Sequence, residues 1–112
     1  MIYHFITETD LARDLTGDTF APPSLTSEGF IHCSTLEQVL AVANFLAPYS
    51  EEMKLLAIDD SLVTPEIKWE DSMQDGRLFP HIYGTLNRNA ITATHHLDWD
   101  GEEGYALPQE LQ

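Results

Sequence analysis

Three histidines stand in the middle of short segments rich in β-forming residues, where an imidazole can take part in chemistry. These are His4, His32 and His81. Neighbouring side chains on a strand point to opposite faces, so Ile31 and Ile82 in the core would turn His32 and His81 the other way. Histidine has an unperturbed pKa of about 6.5, close to neutral pH. The pattern predicts a histidine groove, with purely structural histidines, each bonded to a backbone carbonyl, as the alternative.

Aromatic residues and one carboxylate accompany these histidines. By strand alternation, Phe30, Phe79 and Tyr83 are expected on the groove side, where they suit the binding of a planar ring with a ribose or a phosphate. Glu70 follows Trp69 in a predicted strand, and it would lie near the histidines if the strands pair. A solvated glutamate is the alternative reading, because glutamate is mostly exposed in folded proteins.

Two hydroxyl residues close the second predicted strand at the start of a helix. The run from Ser34 to Glu37 fits the capping-box pattern, which predicts Ser34 as the N-cap. A helix start also offers free amides and a positive dipole end, which can receive a phosphate. Thr35 lies at the same place, and Arg77, in a glycine-containing turn, is the cation best placed for a pyrophosphate.

Cysteine and metal chemistry are not expected. Cys33 follows His32 directly, which raises the possibility of a thiol–imidazole pair. Strand alternation sends the two side chains to opposite faces, so we predict a buried, inert thiol instead. The histidines lack the close ligand spacing of zinc sites, and His95 and His96 diverge on a strand. We therefore predict no metal site.

The order of the predicted elements indicates an α+β fold with mainly antiparallel pairing, because no regular βαβ series occurs. Pro80 indicates that its strand lies at a sheet edge or contains a bulge. We expect one domain over residues 1–97, followed by an acidic tail or an added hairpin over residues 98–112. The predicted strands cover 2–6, 30–33, 53–58, 67–70, 78–83 and 90–97, and the predicted helices cover 7–15 and 36 to the break at Pro48.

Composition limits the class of partner. The chain of 112 residues carries 19 acidic and 5 basic side chains, a formal charge of −14. Nucleic-acid binders need a cationic surface, so we expect a small-molecule nucleotide or metabolite as partner and no nucleic acid. No signal peptide and no apolar run of about 20 residues is visible, so we expect a cytoplasmic protein with no membrane association.

Four separated motifs resemble the domain-of-unknown-function 952 family of small bacterial proteins, over about residues 1–97. They are Ile2-Tyr3-His4, the run from Ser24 to Val39, Trp69-Glu70, and the run from Leu78 to Gly84. The resemblance implies an ADP-ribosyltransferase-like fold. Such a fold has two small, mainly antiparallel packed sheets, two to three helices and an NAD-binding cleft between the sheets.

The same resemblance implies roles for individual residues. His4 occupies the first-strand position that contacts the dinucleotide in that superfamily, and His32, Ser34 and Thr35 are candidate contacts to ribose or nicotinamide. Known transferases add a late glutamate that steadies the ribosyl cation as nicotinamide leaves, and Glu70 is the substitute in this chain.

Three functions stay open at this point. The first is an ADP-ribosyltransferase-like enzyme that uses NAD. The second is a non-catalytic module that binds a nucleotide or metabolite in the same cleft. The third is a hydrolase or transferase that acts on a phosphorylated small molecule with a histidine as general acid or base. The candidate catalytic residues are His32, His81, Glu70 and Tyr83, and the candidate cofactor-binding residues are His4, His32, Ser34, Thr35 and Arg77.

Overall fold

The computed structural model describes residues 1–46, 53–99 and 104–112. The strands in this part of the chain are β1 (Ile2–Thr7), β2 (Leu15–Thr16), β3 (Thr19–Phe20), β4 (Ile31–His32), β5 (Met53–Ile58), β6 (Glu66–Glu70), β7 (Phe79–Tyr83), β8 (Leu86–Asn87), β9 (Ile91–Trp99) and β10 (Tyr105–Ala106). The α-helices are α1 (Glu8–Asp14), α2 (Ser24–Ser27) and α3 (Leu36–Leu46). Single 3-10 turns cover Asp60–Leu62, Arg88–Ala90 and Gln109–Leu111.

These strands form three antiparallel sheets, with the orders β1-β5-β9-β10, β2-β3-β8 and β4-β7-β6. The α+β prediction is confirmed, whereas the prediction of two sheets is wrong. The additional sheet consists of two-residue strands, in which a period of two cannot be seen from the sequence. The tail beyond residue 98 contributes β10, which pairs with β9, and residues 100–103 lie outside the described part.

The sheet β1-β5-β9-β10, which we call the main sheet, has buried apolar residues on both faces. Leu56 and Ile58 belong to one core cluster, which includes Ile31 and Ile82 from the β4-β7-β6 sheet. Leu55, from the other face of β5, belongs to a second cluster with residues of α3. Alternation along β5 therefore places the main sheet between α3 and the smaller sheets, and each fully buried aliphatic side chain contributes about 1.5–3 kcal/mol to stability.

Helix α3 begins at Leu36 as predicted, but its N-cap is one residue later than the capping box around Ser34 predicts. The Thr35 Oγ1 accepts from the Gln38 backbone N–H at 3.2 Å, and the Gln38 Oε1 accepts from the Thr35 N–H at 3.0 Å. Thr35 is thus the N-cap, and the reciprocal box runs from Thr35 to Gln38. Ser34 is extended instead, because its N–H and C=O both bond to the backbone of Tyr3 at 2.7 Å. The predicted helix end at Pro48 lies outside the described residues.

Strand β7 is the central strand of its sheet and pairs with β6 in an unbroken register, so the edge position or bulge predicted from Pro80 is wrong. The C=O of Pro80 accepts from the Cys33 N–H at 3.1 Å, so the backbone of Pro80 points towards β4. Trp69 on β6 lies opposite Pro80, and the two residues form a non-hydrogen-bonded pair of the antiparallel ladder. The missing N–H of the proline therefore removes no bond between β6 and β7.

No helix in the described residues is both long and apolar enough to cross a membrane.

Candidate functional site

Strands β1, β4 and β7 bring His4, His32 and His81 together. His32 and His81 form a cross-strand pair, with ring centroids 5.2 Å apart, while Ile31 and Ile82 pair on the core side, as alternation predicts. The His4 Nδ1 donates a hydrogen bond of 2.5 Å to the main-chain carbonyl of His32. Imidazoles from three distant stretches of chain thus form one continuous cluster, which we call the histidine cluster.

Glu70 and Tyr83 join the histidine cluster through His81. The Glu70 Oε1 accepts from the His81 Nδ1 at 2.9 Å and from the Tyr83 hydroxyl at 2.5 Å. The bond from Tyr83, followed by the bond from His81, lowers the pKa of Glu70, and the bond to Glu70 raises the pKa of Tyr83. Glu70 is therefore a carboxylate and Tyr83 a phenol at neutral pH. We call these three residues the Glu70 network.

His81 is almost fully enclosed, and its ring nitrogen Nδ1 is hydrogen-bonded to Glu70. Its side chain is 1% exposed, and the ring of Phe30 stacks on it with a centroid distance of 4.2 Å. Since Nδ1 donates to a carboxylate, a neutral His81 has its lone pair at Nε2, which has no hydrogen-bond partner among the described residues. An imidazole held in one tautomer by a carboxylate is the arrangement of a general base.

His32 has a separate carboxylate partner. Its Nε2 lies 2.9 Å from the Glu28 Oε2, and both side chains are about half exposed. The ring of Phe30 also contacts His32 edge-on, at a centroid distance of 4.7 Å. His32 therefore lies between the enclosed His81 and the solvent.

A cavity of about 450 Å³ opens next to the histidine cluster. It follows β1, the edge strand of the main sheet, and His4, His32 and Ser34 all line it. The volume falls within the range of small-molecule sites, which is about 300–1,000 Å³. The Glu70 network does not line this cavity, and His32, whose ring is 5.2 Å from that of His81, connects the two regions. A ligand would have to pass His32 to contact both regions.

Burial lowers the pKa of His4, although the bond to the His32 carbonyl works in the opposite direction. His4 is therefore neutral at pH 7. Because its Nδ1 donates to a carbonyl, its Nε2 carries the lone pair and can accept a hydrogen bond from a ligand. Ser34 is buried, and its hydroxyl has no hydrogen-bond partner among the described residues, which leaves it available to the cavity.

Two of the predicted ligand contacts lie away from the cavity. Arg77 bonds to Asp75 within its own turn, with Nε–Oδ2 at 2.9 Å and Nη2–Oδ2 at 2.6 Å, and does not line the cavity. The Thr35 hydroxyl is used in capping α3. The basic residue that does line the cavity is Arg13, which the sequence reasoning missed. In the sequence, Arg13 stands out only because Asp10 precedes it by three residues on the predicted helix. That spacing predicts an ion pair but does not indicate a cavity.

Cys33 is buried in the core, and its burial raises the pKa of the thiol far above the usual range. The predicted burial of the thiol is confirmed. Among residues 1–46, 53–99 and 104–112, no group of three or more His, Cys, Asp or Glu side chains could hold a metal ion.

Comparisons with known proteins give a family for the chain. The crystal structure of protein CC0527 from Caulobacter crescentus is 27% identical to this chain over 98% of it and 96% of that chain, with a TM-score of 0.82. The solution NMR structure of CC0527 covers 92% of this chain and 89% of that chain, with a TM-score of 0.75. The search of curated proteins gives no match. The family described as "Protein of unknown function (DUF952)" matches residues 5–94, and the chain therefore belongs to that family.

Proposed function

We propose that this protein is an enzyme of the ADP-ribosyltransferase type, which breaks the bond between nicotinamide and ribose in NAD. The observation that carries the proposal is the Glu70 network: a carboxylate lies 2.9 Å from an enclosed histidine, whose ring is 5.2 Å from a second histidine at the cavity. If Glu70 lay away from the histidines, the structure would favour a non-catalytic module that binds a nucleotide or metabolite.

The proposal includes an ADP-ribosyltransferase-like arrangement of the chain. Two features support it. A histidine on the first strand lines the cavity, and a serine two residues beyond β4 lines it as well. In this arrangement, His4 Nε2 accepts from a ribose hydroxyl, and Ser34 hydrogen-bonds the ribose or the nicotinamide amide.

In the proposed reaction, the bond between ribose C1′ and the pyridinium nitrogen breaks, and nicotinamide leaves as a neutral molecule with the electron pair. The ribose extends from the cavity past His32 to the Glu70 carboxylate, which stabilises the positive charge that develops on it. The acceptor, a hydroxyl group or water, then forms the new bond to C1′ and gives its proton to His81 Nε2. Tyr83 keeps Glu70 ionised, because its hydroxyl donates to the carboxylate.

The test is the release of nicotinamide from NAD, followed by chromatography, for the wild type and for Glu70→Gln. The glutamine retains the size of the side chain but removes the charge, so we expect a loss of about 10²–10³ in kcat. Glu110→Gln is the matched control, because Glu110 bonds to His95 Nδ1 at 3.1 Å away from the histidine cluster. It should keep the full rate.

Two results would contradict the proposal. Wild-type protein that binds NAD without ever releasing nicotinamide would be a binding module, which is the second function that the sequence left open. Equal rates for the wild type and Glu70→Gln would exclude Glu70 from the reaction.

A further inference from the structure

The cavity beside the histidine cluster has an unusual charge balance for a site that would hold a dinucleotide. Its Asp, Glu, Lys and Arg residues are Asp10, Arg13 and Asp14, two carboxylates and one guanidinium, and His32, which also lines it, is paired with Glu28. His4 adds no charge, because burial keeps it neutral. Of the five basic residues in the chain, all of which the structure describes, only Arg13 lines this cavity.

Arg13 is paired with two carboxylates of the cavity. Its Nε donates to the Asp14 Oδ1 at 2.6 Å, and its Nη2 donates to the Asp14 Oδ2 at 3.0 Å. Its Nη1 lies 3.3 Å from the Asp10 Oδ1. The Asp14 side chain is only 5% exposed, so withdrawing Arg13 would leave a buried carboxylate without its counter-ion. Such a change is strongly unfavourable, so the charge of the guanidinium stays compensated by these two carboxylates.

A pyrophosphate in this cavity would also face the negative charge of Asp10 and Asp14 with no free cation to offset it. The rest of the molecule increases this repulsion, because the chain carries a formal charge of −14. A positively charged group is favoured for the same reason. The pyridinium ring of an N-ribosyl pyridinium carries such a charge until the glycosidic bond breaks.

We infer that the cavity recognises its substrate through the cationic pyridinium riboside and leaves the phosphates in solvent. The substrate class is then a pyridinium nucleoside, for which a phosphate or dinucleotide extension is unnecessary. This inference rests on the proposed function and specifies which half of NAD is bound. It also differs from the expectation that Arg77 holds the pyrophosphate, since that residue is paired with Asp75 elsewhere.

Isothermal calorimetry with three probes tests the inference: nicotinamide riboside, NAD, and ADP-ribose, which retains the pyrophosphate but lacks the pyridinium. We expect the dissociation constants of nicotinamide riboside and NAD to agree within about threefold, and ADP-ribose to bind at least about tenfold more weakly. NAD binding more than about tenfold tighter than the riboside would overturn the inference while leaving the proposed function intact. No binding of either pyridinium compound would refute the proposed function and the inference together.

Two variants distinguish the effect of charge inside the cavity from the effect of removing any carboxylate of the protein. Asp10→Asn removes one carboxylate of the cavity, and Asp10 is exposed enough to be replaced without disturbing the core. It should weaken riboside binding by about threefold and strengthen ADP-ribose binding by a similar factor. Asp75→Asn is the matched control, because it breaks an arginine–aspartate pair outside the cavity. Equal effects of the two variants, or no effect of Asp10→Asn, would overturn the inference.

Discussion

His4 makes the stability of this protein depend on pH in a way that can be isolated. Burial lowers its pKa from the ordinary value of 6.5, so the folded protein takes up the proton at a lower pH than the unfolded chain does. As pH falls below about 6.5, the unfolded state binds more protons, and the free energy of unfolding decreases. The stability that depends on neutral His4 is fully present above that pH. It is lost as pH falls through the pKa of His4 in the folded protein.

The magnitude follows from the number of protons involved. One proton bound by the unfolded state and not by the folded state gives a slope of about 1.4 kcal/mol per pH unit at most. The full slope applies below the unfolded pKa of His4 and above its folded pKa. Two neighbours act on His4 as well: the electrostatic effect of His32 lowers its pKa, and that of the Asp14 carboxylate raises it.

Urea denaturation of the wild type and His4→Asn between pH 5 and pH 8 measures this slope. Asparagine can still donate to the His32 carbonyl, which accepts from His4 Nδ1 in the wild type, but it does not titrate. We expect the wild type to lose stability relative to His4→Asn as pH falls below about 6.5, by up to about 1.4 kcal/mol per pH unit. His96→Asn, at an exposed position, should follow the wild type. Parallel curves for the wild type and His4→Asn would refute the reasoning.

Two further predictions concern the neighbouring residues. Thr35→Ala should lower the free energy of unfolding by about 1 kcal/mol, because it removes the N-cap of α3. Ser34→Ala should cost clearly less in the same urea titration, and the reverse order would show that Ser34 is the cap. Cys33 should remain unreactive towards a thiol reagent in the native protein and react fully in urea, because its thiol is buried. Rapid native labelling would contradict that burial.

The arrangement of the histidine groove could be predicted from the sequence because it depends on a local rule. Alternation along a strand fixes which side chains share a face, and Ile31 opposite Ile82 in the core leaves His32 opposite His81 outside it. The association with Glu70 needed only the pairing of β6 with β7. Strands β6 and β7 follow each other in the chain, whereas β4 joins their sheet from a distant stretch, before α3 and β5.

The errors arose where tertiary contacts decide between similar local patterns. Both Ser34 and Thr35 precede a suitable residue three positions later, and the backbone bridge between Ser34 and Tyr3 determines which of them caps α3. Arg77 pairs within its own turn, whereas Arg13 reaches the cavity because α1 packs beside β1. Sequence spacing carries no information about which arginine meets the cavity.

The most direct test of the site is the long-range ¹H–¹⁵N correlation spectrum of the histidine side chains, recorded with and without NAD. We predict that neutral His4 and His81 both carry their proton on Nδ1, as their hydrogen bonds to a carbonyl and a carboxylate require. NAD should shift the resonances of His4, His32 and His81 and leave those of His95 and His96 unchanged. An Nε2-protonated tautomer at His81, or equal shifts at all five histidines, would contradict a binding site at the histidine cluster.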